Sequence, residues 1–167
     1  STFAPGDTWG DGAGSIGGPI QPDVSHTQAQ RFSFSGANPY NLLGVEVVVR
    51  SILDEQPSEV YVMLMTDEGG LPGAILESFS FEGPFSSSGQ VLTGVSALPP
   101  LLDPDTYYWV AATASEDGRV GWAQAPSESP WIDEWWRVAG WSNVEGEPWT
   151  AGGMKPPFVT RVTGIPI

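Results

Sequence analysis

The chain has no cysteine, a single histidine and only six basic residues, of which Lys155 is the one lysine. Without cysteine there can be no disulfide, no thiolate metal site and no thiol nucleophile. A Ser-His-Asp triad would have to use His26, which sits in the polar stretch Val24-Ser25-His26-Thr27-Gln28. No Gly-x-Ser-x-Gly elbow is present, and one imidazole is a poor start for zinc. His26 therefore reads as a surface histidine. With 20 acidic residues and a net charge of −14 there is no basic stripe, which argues against nucleic acid and anionic membranes as partners. No run of 18 apolar residues occurs, so no membrane-spanning helix is expected. No signal peptide is visible. The start at Ser1, without an initiator Met, fits a processed secreted protein or a trimmed chain.

What the chain does have is glycine (21) and proline (16), with charged residues at only 16% of its 167 positions. That composition and length point to one domain of short strands and many turns. A domain of this size buries about 70% of its unfolded surface, so it folds without a covalent staple.

Strand patterns begin after about residue 29. Arg31-Phe32-Ser33-Phe34-Ser35 alternates. In the run from Leu43 to Leu53, Val45, Val47 and Val49 oppose Glu46, Val48 and Arg50. Val60 to Met65 and Tyr107 to Ala114 are nearly continuous apolar runs, as central buried strands are. From Ala74 to Glu82, Ile75, Glu77, Phe79 and Phe81 oppose Leu76, Ser78, Ser80 and Glu82. Gln90 to Leu98 places Val91, Thr93, Val95 and Ala97 on one face. Val120 to Ala123 is a short strand, and Phe158 to Ile165 closes the set. Gly70-Leu71-Pro72-Gly73 suits a type II turn, with Pro72 pre-setting one φ and Gly73 supplying a positive one. About eight or nine strands joined by turns predict an all-β fold, an antiparallel, jelly-roll-like β-sandwich. Ser129 to Trp136 is expected to hold one helical turn at most.

Two stretches depart from this pattern. Residues 1–28 form a Gly-rich N-terminal arm with no sustained period. Ordering such an arm costs roughly 1–2 kcal/mol per residue, so it needs anchors, and Phe3, Trp9 and Ile16 are the candidates. An extended arm can also add to a neighbour's sheet edge. The second stretch is an insertion at about 123–156 within the 29–167 sandwich. Of eight tryptophans, Trp109 and Trp122 fall on strands and are expected in the core. Trp131, Trp135, Trp136, Trp141 and Trp149 fall in this loop-rich stretch. They either staple the insertion down or form an exposed aromatic platform for sugar rings.

Leu64-x-Thr66-Asp67-x-Gly69-Gly70-Leu71-Pro72-Gly73-x-x-Leu76-Glu77-Ser78, then Leu102-x-x-x-Thr106-Tyr107-Tyr108-Trp109-Val110, then Gly121-Trp122 resembles the "choice-of-anchor" class of bacterial extracellular domains, over roughly residues 29–164. The resemblance implies an exported, surface-associated β-sandwich, often tethered by sorting tails of the PEP-CTERM type, and it supplies no catalytic residues. No such tail follows Ile167, so the tether is expected to have been removed or to be of another kind.

Carboxylate pairs are plentiful, including Asp67/Glu68, Asp103/Asp105, Glu116/Asp117, Asp133/Glu134 and Glu145/Glu147. Most lie beside Gly or Pro, where Asp serves the turn itself. A glycosidase would need two of them facing across a cleft. Calcium takes oxygen ligands from such loops, and Asp7/Asp11 and Asp103/Asp105 are the candidate ligands, although neither completes an Asp-x-Asp-x-Asp-Gly loop. The resulting expectation is a non-catalytic, extracellular or cell-surface structural protein. It assembles as a homo-oligomer or polymer, in the manner of a filament or surface-layer subunit, through its arm. A carbohydrate-binding module with a polysaccharide partner is the alternative, and a jelly-roll hydrolase is the weaker one.

Overall fold

A computed structural model describes residues 13–18, 27–51, 56–124, 137–139, 149, 151–154 and 158–167; of 13–14, 137–139 and 151–154 it describes the backbone only. These residues hold twelve strands and no helix. All pairings are antiparallel, and the strands form two sheets packed as a β-sandwich. In chain order the strands are β1 (Ala13–Gly17), β2 (Gln28–Phe32), β3 (Tyr40–Ser51), β4 (Glu59–Glu68), β5 (Leu71–Glu82), β6 (Gln90–Val95), β7 (Leu101–Leu102), β8 (Tyr108–Ala114), β9 (Arg119–Ala123), β10 (Arg137–Ala139), β11 (Ala151–Met154) and β12 (Thr160–Pro166).

Sheet B runs β11-β10-β2-β8-β4-β5. The two apolar runs expected at the centre, β4 and β8, are neighbours there, with Val60 opposite Ala114 and Leu64 opposite Val110. Sheet A is built on β3. β6 and β7 line one edge of β3, and β12 and β9 follow one another along the other. Where these last two diverge, Val159 wedges in. Its carbonyl accepts from Val48 N (3.2 Å) and its N–H donates to Ala123 O (2.8 Å). The sheet curls at this point, and β1 continues it on the far side of β9.

The core lies between the sheets. Val45, Val47 and Val49 from β3 meet Val60, Val62 and Leu64 from β4, together with Val110, Val120 and Trp122. Trp109 and Trp122 are both fully buried, as their strand positions predict. Trp122 stacks on Phe158 at 4.4 Å and donates its indole N–H to Val159 O (3.2 Å). The one buried polar residue among those described, Gln30, accepts from Phe158 N at 2.6 Å. An otherwise orphaned backbone donor is satisfied in this way.

The hairpin between β4 and β5 turns three residues earlier than expected. Gly69 (φ +64°) and Gly70 (φ +88°) are its two central residues, the positive-φ pair of a two-residue type I′ turn. Pro72 is not in the turn. It is buried in β5 opposite Asp67, and Gly73 is a strand residue without positive φ. β5 is the end strand of sheet B, so a residue without an N–H is tolerated there. Two register shifts in β5 then alter its faces. Leu76, Phe79 and Phe81 pack on the core while Ile75 is exposed. The simple alternation expected for residues 74–82 therefore breaks at Ile75, because a bulge re-aims the side chains beyond it.

Candidate functional site

Several expected site residues lie outside the described residues: Asp7, Asp11, Phe3, Trp9, His26, Trp131, Trp135, Trp136 and Trp141. Ile16, expected to anchor an arm reaching for a neighbour, is fully buried in its own sandwich core. There it sits opposite Val120, because the edge of β9 offers a five-residue ladder to β1. Asp103 and Asp105 serve their turn. Asp105 takes a positive φ of 57° and donates its N–H to Phe34 O, while Asp103 N donates to Tyr108 Oη. Among the described residues no group of three His, Cys, Asp or Glu side chains converges on a metal position. Trp149 is half-buried against Ala29, Met65, Trp109 and Ala111 on the outer face of sheet B.

That outer face carries a polar clasp at the end beside the β4–β5 turn. The Arg31 guanidinium bonds the Asp67 carboxylate twice, Nε to Oδ1 at 2.8 Å and Nη2 to Oδ2 at 2.9 Å. Trp109 Nε1 donates to Oδ1 at 2.8 Å and Gly70 N to Oδ2 at 3.1 Å. Arg31 also lies 3.8 Å over the Tyr107 ring, a cation–π contact. Burial pushes the Asp67 carboxyl up, but the bonds from Arg31, Trp109 and Gly70 outweigh it and hold the pKa below the usual aspartate value.

An open groove of about 750 Å³ lies at the end of the sandwich where β4 begins and β5 finishes, lined by Pro57, Ser58, Glu59, Glu82, Gly83 and Pro84. Glu59 and Glu82 are directly opposed across the two strands. Tyr61 Oη donates to Glu59, and this bond holds the phenol above its ordinary pKa. Beside the groove Asp117 accepts from the Ser115 hydroxyl and from Ser58 N, which lowers its carboxyl pKa. The Glu59/Glu82 pair was missed in the sequence. Counted outward from the Gly69-Gly70 turn without bulges, Glu59 would face Ser80, and the two shifts in β5 move it to Glu82.

The third feature is the outer face of sheet A. On β6 the expected Val91-Thr93-Val95 face points away from the core, while Leu92 and Gly94 point in. The reason is local. A Cβ on Gly94 would lie 2.4 Å from the Phe79 ring, so only glycine fits beneath that ring. On β3 a bulge at Leu43 turns this side chain out beside Gly44. Cross-strand rows follow from the register: Leu101, Asn41 and Ile165 in one, and Val95, Gly44 and Thr163 in the next. Leu43, Val95, Leu101 and Ile165 are 46%, 73%, 50% and 53% exposed, an aliphatic cluster at one end of the face. In the row after these, Glu46 pairs with Arg161. By strand alternation Arg50 and Arg119 also lie on this face, towards its other end. Further along, Val48, Ala123 and Val159 are buried as a third small cluster.

No protein-family model matches the chain, and searches of curated proteins and of solved structures likewise find no match.

Proposed function

We propose that this chain is a non-catalytic structural protein of the secreted or cell-envelope kind whose β-sandwiches associate with one another. The observation that carries the reading is the aliphatic end of the sheet A face, where large side chains on four neighbouring strands stand in water. Contiguous apolar surface of this sort marks interaction sites in soluble proteins. The resemblance to choice-of-anchor domains supports an extracellular or cell-surface setting. Association runs through the sandwich itself, since Ile16 of the arm is already used in its own core. Calcium is not part of the proposal. The test is sedimentation velocity over a wide concentration range. The expected result is a mass that rises with concentration, and a monomer throughout would refute it.

A second reading has one specific observation in its favour. Directly opposed strand residues hold their Cβ atoms about 4.5–5.5 Å apart, compatible with the roughly 5–5.5 Å carboxyl spacing of retaining glycosidases. Glu59 and Glu82 are so opposed on the rim of the groove. This reading predicts glycan binding or hydrolysis that Glu82→Gln abolishes. The absence of both from a broad glycan panel would remove it.

A further inference from the structure

We infer that the edge of β9 is an acceptor site for an extended segment of the pattern apolar–Gly–Gly, filled by β1 of its own chain and open to β1 of a second copy by strand exchange. The inference goes beyond the face contact proposed above and does not depend on it. β1 is the end strand of sheet A, and among the described strands it pairs with β9 alone. Its hold is one five-residue ladder and one large core side chain, Ile16. Release of β1 therefore breaks no other ladder of the sandwich, which makes it a local opening rather than global unfolding. Among the described residues the Ser15 hydroxyl and the Gln28 side-chain oxygen are buried without a hydrogen-bond partner, although Gln28 Nε2 donates to Ser15 O at 2.7 Å. Both oxygens regain water when β1 leaves, which lowers the cost of opening.

What the site accepts is set by its walls. Ile16 enters the core opposite Val120. The next two residues then pass the turn between β8 and β9. A Cβ on Gly17 would lie 2.5 Å from Gly118 O and 2.8 Å from Ala114 Cβ, and one on Gly18 would lie 2.7 Å from Glu116 Cα and O. Gly17 also holds a φ of +98°, a conformation that favours glycine. An occupant therefore needs a large apolar residue followed by two glycines. The chain has three Gly-Gly pairs, and the residues before them are Ile16, Glu68 and Ala151, so within this chain only β1 meets the requirement. That selects the occupant, because the segment seated here in one copy is carried by every other copy. Once β1 is out, its own groove and a neighbour's are the same site, and exchange of an identical element is a low-cost route to dimers.

The test uses the full chain, with a capped, fluorescein-labelled peptide of residues 13–18 as the probe. Ile16→Ala weakens the chain's own strand as a competitor, so the open fraction rises and the probe should bind this variant about 30-fold more tightly than the wild type. Ile16→Val, a milder truncation, should gain about 5-fold. Unchanged circular dichroism checks that the variants fold. A probe carrying Gly17→Val should bind none of the three chains. The second copy is tested by mixing tagged and untagged wild type at high concentration and then diluting. Exchanged dimers should contain both forms and persist for hours after dilution, because separation requires each β1 to open again. Val95→Lys, on the outer face of sheet A, should leave these dimers unchanged. No gain in probe binding in either Ile16 variant, or binding of the Gly17→Val probe, overturns the acceptor site. Probe binding without mixed dimers that outlast dilution overturns the second copy as its occupant.

Discussion

Asp67→Ala removes the acceptor that four donors share, and its cost follows from where each donor is left. Trp109 is fully buried, so its indole N–H has no water to turn to. A buried donor stranded in this way costs about 1–3 kcal/mol. Arg31 loses a bidentate partner while its side chain keeps 24% exposure, so solvent recovers part of that loss. The total is about 2–4 kcal/mol, below the roughly 3–5 kcal/mol of a fully buried broken pair. For a domain of this size each kcal/mol moves the melting temperature by about 2–4 °C, so a fall of roughly 5–12 °C is expected. Urea unfolding of Asp67→Ala, Arg31→Met and the double variant should give a coupling energy of about 1–3 kcal/mol. The effect also has a pH signature. The folded pKa of Asp67 is lowered, so its stabilisation is present above the unfolded aspartate value, about 3.9, and is lost as pH falls through the folded value. The gap between wild type and Asp67→Ala should therefore be full at neutral pH and shrink below about pH 4. A gap under about 0.5 kcal/mol, or one independent of pH, would refute the reasoning.

Three further substitutions probe the frame. Gly94→Ala drives a methyl group into the Phe79 ring and should cost about 1–3 kcal/mol in urea unfolding; Phe79→Leu in the same chain should recover part of it. Gln30→Leu strands Phe158 N and should cost about 1–3 kcal/mol, with faster hydrogen exchange at the Phe158 amide. Gly70→Ala forces a side chain into positive φ and should cost about 1–2 kcal/mol, read as a lower melting temperature with an unchanged urea m-value.

The frame was legible where burial is two-sided. Val60 to Met65 and Tyr107 to Ala114 are apolar on both faces because β4 and β8 lie inside sheet B, with the core on one side and the Met65–Trp109–Ala111 cluster on the other. The hairpin turn was misread because Pro72 and Gly73 resemble a type II turn, and nothing local shows that an edge strand will accept the proline. The exposed aliphatic face was not legible. In β6 the choice between Val91-Val95 and Leu92-Gly94 as the inner face depends on Phe79, eleven or more residues away and in the other sheet. Counting apolar carbons favours the wrong side. The Glu59/Glu82 pair was hidden by bulges, whose positions are set by packing along a long strand.

The same details bear on how copies can meet. β5 is a twelve-residue end strand of sheet B, and an open edge of that length invites another strand to add. Here the edge is guarded. Pro72 lacks an N–H, two register shifts interrupt the ladder, and Glu77 lies opposite core-facing Leu64. Its carboxylate is held by Ser96 Oγ and Ala97 N from the loop between β6 and β7. An added strand would meet a broken register and a fixed charge. Sheet B's outer face is covered at the end beside the β4–β5 turn by the Arg31–Asp67–Trp109 clasp, and Trp149 packs on it as well. Among the described residues the aliphatic end of sheet A has no such guard, and the bulge at Leu43 and the glycine at 94 turn apolar side chains outward there. Association by face contact is therefore favoured over strand addition. In that geometry the dimer should form without any new β-structure, so the far-ultraviolet circular dichroism per residue should be the same in monomer and dimer. A gain of strand signal on association would instead place the contact at an edge.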